Sequence, residues 1–165
     1  MAATSYDDDA AMGLALDEAR TAGSMGEVPI GAVVLAPDGT LLARRHNERE
    51  TTSDPTAHAE VLALRDAAVA LDDWRLTGCT LVVTLEPCPM CAGAAWASRI
   101  GTVVYGAPSM EAGSTGSLYH LGADPRLNHE FRTRHGVRAA ECSAVLSAYF
   151  AERRRSGSEP PEPVV

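Results

Sequence analysis

Apolar residues Met12, Ala15, Leu16 and Ala19 recur at i, i+3, i+4 and i+7, one stripe of an amphipathic helix that ends near Gly23. The pattern then changes to that of strands. Ile30 to Ala36 is a continuous apolar run, Pro37-Asp38-Gly39 interrupts it, and Leu41 to Arg45 follows, which predicts a β-hairpin. A polar loop, Asn47 to Thr56 with Asp54-Pro55 inside it, precedes a second helix starting around His58. Thr56 is the expected N-cap, and Val61, Leu64, Ala68 and Leu71 form the expected buried side. Thr80 to Leu85 reads as the next strand, dense in apolar and β-branched residues and broken by Pro87. A short helix from about Pro89 to Ser98 opens on proline, whose missing N–H costs nothing in a first turn. Thr102 to Tyr105 is a fourth strand.

From Ala107 to about Val137 glycine, proline and histidine erase the periodicity. Such a stretch inside a compact domain is usually functional, so a lid or substrate loop holding some short helix is expected. The last helix places Cys142, Val145, Leu146, Tyr149 and Phe150 on one stripe and ends in Arg153-Arg154-Arg155. Strands alternating with helices after an opening hairpin predict a mixed sheet with helices on its faces, an α/β layer architecture. The length of 165 residues fits one domain, expected over 1–155, with a proline-rich disordered tail over 156–165.

Composition narrows the function classes. With 45% hydrophobic and 22% charged residues and no apolar run near the roughly 18 residues that cross a bilayer, no membrane partner is expected. Asp7, Asp8 and Asp9 stand where an export signal would carry positive charge, so the expected compartment is the cytoplasm. The net charge of -8 argues against non-specific coating of nucleic acid, though not against a local basic surface. All 14 basic residues are arginine. Of the four cysteines, Cys88 and Cys91 are spaced for metal or redox work, and Cys79 and Cys142 are expected to be buried free thiols.

The chemistry concentrates in His58-Ala59-Glu60 and Pro87-Cys88-Pro89-Met90-Cys91. Cysteines three apart at a helix entrance present both sulfurs to one side, within reach of a single ion at about 2.3 Å. A helix N-terminus also favours the thiolate that metal binding requires. Alone, this spacing equally describes a redox pair or half of a structural zinc site. Residues two apart on a regular helix point roughly 200° from each other, so His58 and Glu60 can share a site only at a helix entrance. The segment Pro55-Thr56 puts them there. One imidazole and two thiolates leave a zinc ion an open position for water, whose pKa falls to about 7. Glu60, outside the ligand set, can then carry a proton.

These residues resemble the zinc-dependent cytidine and nucleobase deaminase superfamily, whose signature pairs His-x-Glu with Pro-Cys-x-x-Cys. More narrowly, Glu27-Val28-Pro29-Ile30-Gly31-Ala32, His46-Asn47, Asp54 to Glu60, Thr84 to Ala94, Ser98-Arg99-Ile100, Gly116-Ser117 and Leu127-Asn128-His129 are similar to the bacterial tRNA-specific adenosine deaminases, over roughly residues 10 to 155. The resemblance implies a cytidine-deaminase-like three-layer α/β/α fold with a mixed five-stranded sheet. It implies a homodimeric hydrolase, with one zinc per subunit held by His58, Cys88 and Cys91, that acts on a tRNA anticodon stem-loop. Zinc-bound hydroxide would attack C6 of the extruded wobble adenosine, Glu60 would shuttle protons, and inosine and ammonia would result. Asn47 and the backbone of Ala59 match positions that hold the base.

Two features depart from that family. Pro108-Ser109-Met110-Glu111 replaces polar residues expected to touch RNA, and the chain is acidic overall. Against this, residues 126–155 carry seven arginines and three glutamates, a surplus of four positive charges that could follow a phosphate backbone. The departures keep open a deaminase of a free base or nucleoside, of the guanine or cytosine type. A zinc-stabilised binding domain without turnover is a third reading, and Glu60 argues against it, because a structural site needs no proton carrier.

Overall fold

The computed structural model describes residues 4–157. Its elements are α1 (Asp8–Ser24), β1 (Gly31–Leu35), β2 (Leu41–His46), α2 (Arg49–Thr52), α3 (Ala59–Leu71), β3 (Thr80–Leu85), α4 (Pro89–Ala97), β4 (Thr102–Ala107), a 3-10 turn (Leu121–Ala123), β5 (Arg132–His135) and α5 (Ala139–Ser156). The five strands form one mixed sheet in the order β2-β1-β3-β4-β5. β1 runs antiparallel to β2 and β3, whereas β3, β4 and β5 are parallel.

Alternation along the strands sorts the core into two layers. Ala32, Val34, Leu81, Val83, Val103 and Tyr105 meet Ala59, Ala63, Leu64 and Ala67 of α3. On the other face Val33, Leu35, Val82 and Val104 meet Ala11, Met12, Ala15 and Leu16 of α1 and Cys142 of α5. This is the expected three-layer α/β/α arrangement with a mixed five-stranded sheet. The inner strands are largely apolar because both of their faces are covered, with Thr84 and Thr102 as buried polar exceptions. Gly31 lies where α1 crosses β1, and a Cβ there would come within 2.0 Å of the Ala15 carbonyl oxygen. Any side chain would push the helix off the sheet.

The helix entrances follow side-chain capping. Asp7 caps α1, its Oδ1 accepting the Ala10 N–H at 2.8 Å. At α3 the N-cap is His58, not the expected Thr56. Asp54 captures Thr56 instead, its Oδ1 accepting the Thr56 N–H at 2.8 Å and the hydroxyl at 2.7 Å. The buried side of α3 is also rotated from expectation: Ala68 is only partly buried and Leu71 is exposed.

Two elements fall in stretches expected to be loops, α2 and the polar edge strand β5. The segment after β4 does hold the anticipated short helix, the 3-10 turn, and it is fastened at its far end. Arg99 donates to Asn128 Oδ1 at 2.9 Å, and the His129 Nε2 lies 2.8 Å from the Ile100 carbonyl oxygen. No helix among the described residues is long and apolar enough to cross a membrane. Helix α5 runs through Ser156 and is capped by Gly157; the remainder of the expected tail lies outside the described residues.

Candidate metal centre and active site

Two helix entrances converge on the sequence-predicted residues. His58 is the N-cap of α3 in extended conformation, and Glu60 follows in its first turn. Cys88 is the N-cap of α4, Pro89 opens the helix, and Cys91 lies in its first turn. The positive ends of both helix dipoles therefore face the two sulfurs and favour their ionised forms.

His58 Nδ1 lies 3.5 Å from Cys91 Sγ and 3.8 Å from Cys88 Sγ, and the three ligand atoms all lie within 4.8 Å of one another. A tetrahedral zinc with ordinary Zn–N and Zn–S bonds needs its ligand atoms roughly 3.5 to 3.8 Å apart. The three side chains are buried, as is Glu60. Glu60 stands outside the ligand set, and its buried Oε2 has no hydrogen-bond partner among the described residues. An orphaned buried oxygen beside a metal-ligand cluster calls for a donor such as a water molecule.

The electrostatics fit a dication held by these residues. A hydrogen bond with Cys91, acting against burial and helped by His58, brings Cys88 down to about 4, and hydrogen bonding with Cys88 raises His58. Cys91 is pushed well above the ordinary thiol value by Cys88 and burial, and Glu60 is raised to about 7 by burial and then by the Cys88 charge. So many acidic groups in a desolvated space cannot all ionise. A dication would let both sulfurs do so.

The two expected base-holding positions bond to each other. Asn47 follows β2 and is buried, and its Oδ1 accepts the Ala59 N–H at 3.1 Å. His58 makes no side-chain cap of its own, so Asn47 caps α3 from a distance. Sequence reasoning missed two buried carboxylates. Glu27 accepts the N–H groups of Glu50 at 3.2 Å and Thr51 at 2.6 Å, holding α2 in place. Glu86, two residues before Cys88, gathers donors from the 109–117 segment. The available signal was an acid inside an apolar run, as in Thr84-Leu85-Glu86-Pro87.

The arginine-rich segment is less free than its composition implies. Arg126 pairs with Asp124, Arg134 with Asp8, Arg138 with Glu141 and Arg155 with Glu152. A cleft of about 490 Å³ lies beside α4, lined by Pro89, Tyr119, His120, Leu121, Asp124 and Arg126. It adjoins the ligand cluster through Pro89.

Residues 5–107, which include every ligand candidate, match the family model for the cytidine and deoxycytidylate deaminase zinc-binding region. The chain belongs to this deaminase family. Zinc is accordingly the ion that the His58, Cys88 and Cys91 set fits, one per subunit. Among the deaminase relatives, the tRNA-specific adenosine deaminase of Bacillus subtilis (strain 168) is 48% identical over 148 residues, 90% of this chain and 91% of that protein. A solved structure from studies of A-to-I editing by tRNA:A34 deaminases at the wobble position superposes with a TM-score of 0.79 at 42% identity, covering 82% of this chain and 98% of that one. A guanine deaminase from Nitrosomonas europaea shares the deaminase fold at lower identity, 26%, with a TM-score of 0.73 over 90% of this chain and 86% of that one.

Proposed function

We propose that this chain hydrolytically deaminates the wobble adenosine of a tRNA anticodon to inosine, releasing ammonia, as a cytoplasmic homodimer with one zinc per subunit. The carrying observation is the likeness to the Bacillus subtilis tRNA-specific adenosine deaminase along nearly the whole of both chains. The geometry of the site is compatible with each step.

His58, Cys88 and Cys91 would hold the ion, which supplies Lewis-acid activation of water. The remaining work falls to the protein. Glu60 takes one proton from the attacking water and gives it to the ring nitrogen, then takes the remaining proton of the added hydroxyl and gives it to the leaving amine, so that adenosine and water become inosine and ammonia. Its burial beside the ligand candidates, outside their set, suits a group that must both accept and give a proton. Asn47 and the Ala59 backbone form the side of the pocket that holds the base.

Support for the homodimer comes from an apolar groove of about 370 Å³ between α3 and α4, lined in part by Val61, Leu64, Ala68, Trp74, Ala94 and Ala97. Val69 and Trp74 are exposed at 81% and 53% beside it, more apolar surface than a monomer has use for. A cytoplasmic setting agrees with four cysteines that are all free thiols.

A second reading, deamination of a free base, draws on the likeness to guanine deaminase and on the altered Pro108 to Glu111 stretch. Incubating the zinc-loaded protein with tRNA and sequencing the product separates the two. An A-to-G change at the wobble position is expected. Ammonia from guanine or cytosine without any change in tRNA would establish the second reading in its place.

A further inference from the structure

Glu86 leaves β3 just before Cys88, and its side chain is 2% exposed. A buried carboxylate needs hydrogen bonds, and here they all come from one later segment. Oε2 accepts the Ser109 N–H at 3.0 Å, and Oε1 accepts the N–H groups of Ser117 at 2.9 Å and Thr115 at 3.2 Å. The hydroxyls of Thr115 and Ser117 donate to the same carboxylate. Gly113 is the only residue type the enclosed turn accepts, because a Cβ there would lie 2.3 Å from Glu86 Oε2 and 2.5 Å from the Ser109 carbonyl oxygen.

The segment is also tied to the ligand cluster. The Ser114 N–H donates to the Pro87 carbonyl at 2.9 Å, and Ala112 packs with Val61, Cys88 and Cys91. The Gly113 carbonyl then accepts the N–H groups of Leu118 at 2.9 Å and Tyr119 at 3.1 Å. Leu118 and Tyr119 are exposed at 51% and 62%, on the wall of the cleft beside α4 in the case of Tyr119. One carboxylate thus fixes a continuous path from the metal ligands to the exposed Leu118 and Tyr119, the latter on the cleft beside α4.

We infer that Glu86 is a positioning residue that holds segment 109–117 as a fixed wall, so that Leu118 and Tyr119 stand ready to pack against unstacked bases next to the target nucleotide. The inference rests on the reading of the substrate as a single-stranded RNA loop, whose splayed bases stack on exposed aromatic side chains. Glu86 touches neither the ion nor the base. It acts through the segment it holds.

The test uses the zinc-loaded full chain with Glu86→Gln, Ser117→Ala and the double variant. Three quantities are read: zinc per chain, the rate of protease cleavage within 109–119, and KM and kcat on an anticodon stem-loop RNA. Glu86→Gln should keep its zinc, be cut about tenfold faster in the segment, and raise KM about tenfold with kcat within about threefold. Ser117→Ala leaves no unpaired buried charge and should show the same changes at smaller size. The double variant should be no worse than Glu86→Gln alone, since both changes release the same segment. An unchanged KM with the segment still protected overturns the inference. So does loss of zinc in step with activity, or a fall in kcat at constant KM. If the wild-type chain leaves the stem-loop RNA unmodified, the substrate reading fails, and the docking role fails with it, while the cleavage rates still decide whether Glu86 holds the segment.

Discussion

Asn47 caps the helix that carries His58 and Glu60: its Oδ1 accepts the Ala59 N–H at 3.1 Å across a gap of twelve residues. The bond fixes the entrance of α3, and the proposed function gives the same residue a second duty, holding the base. Asn47→Ala would leave a buried N–H unpaired and should cost about 1–2 kcal/mol, as lost N-caps do. Asn47→Asp keeps an acceptor for that N–H but removes the amide donor. It should unfold near the wild-type temperature and still deaminate poorly. Thermal unfolding and turnover measured on both variants separate the duties; an Asn47→Asp protein that deaminates at the wild-type rate would leave capping as the sole role.

Glu18 joins α1 to β2 with a similar economy. It bonds His46 Nδ1 at 2.7 Å and Arg44 Nε at 2.5 Å, one residue before Asn47. Burial pushes its carboxyl up, but the bonds to His46 and Arg44 outweigh burial, and the net shift is downward from 4.5. A depressed carboxylate stabilises the fold above its unfolded pKa, and that contribution is lost as pH falls through the folded value. Glu18→Gln should therefore be less stable than wild type at pH 7, by no more than about 1 kcal/mol for a partly exposed cluster. The gap should close below about pH 4.5, near the unfolded carboxyl value. Chemical denaturation at a series of pH values checks it, and metal release at low pH cancels because both proteins share the site.

What could be read without coordinates divides by the range of the forces involved. β3 was legible over its full length because both of its faces are covered, which makes Leu81, Val82 and Val83 an unbroken apolar run beside the buried Thr84. β5 was not, because Arg132, Thr133, Arg134 and His135 form an edge strand with no buried face to mark it. His58, Cys88 and Cys91 were legible because a metal dictates residue type as well as spacing. The Thr56 cap failed for a local reason, competition from Asp54. The roles of Glu27 and Glu86 depend on partners 23 to 31 residues away, which no periodicity encodes. The pairing of Asn47 with Ala59 likewise follows from where β2 ends beside α3.

The exposed face of α3 and α4 should mediate self-association. Trp74 lines the apolar groove there, with the Arg75 guanidinium 4.2 Å over its ring. Replacing Trp74 by Glu puts a charge on a surface that a partner would desolvate, a cost of several kcal/mol at an interface and almost none on a free monomer. Sedimentation should show the wild type as a dimer and Trp74→Glu as a folded monomer. A wild-type monomer at micromolar concentration would remove the homodimer from the functional reading.

The metal and the proton carrier are separable by substitution. Cys91 is fully buried in the ligand cluster, so Cys91→Ala should release zinc, abolish turnover and lower the unfolding temperature, because the energy of ion binding is then no longer available to the fold. Glu60→Gln keeps the shape of the side chain and removes the proton acceptor, so it should retain one zinc per chain, unfold no earlier than wild type and lose at least about 10²-fold in turnover. The stability forecast follows from the burial of Glu60, whose Oε2 has no partner among the described residues to offset its desolvation. Metal analysis, calorimetry and wobble-base sequencing on the two variants give opposite patterns if the roles are as assigned. A Glu60→Gln protein that deaminates at the wild-type rate would exclude Glu60 from proton transfer, and a Cys91→Ala protein that keeps its zinc would remove Cys91 from the ligand set.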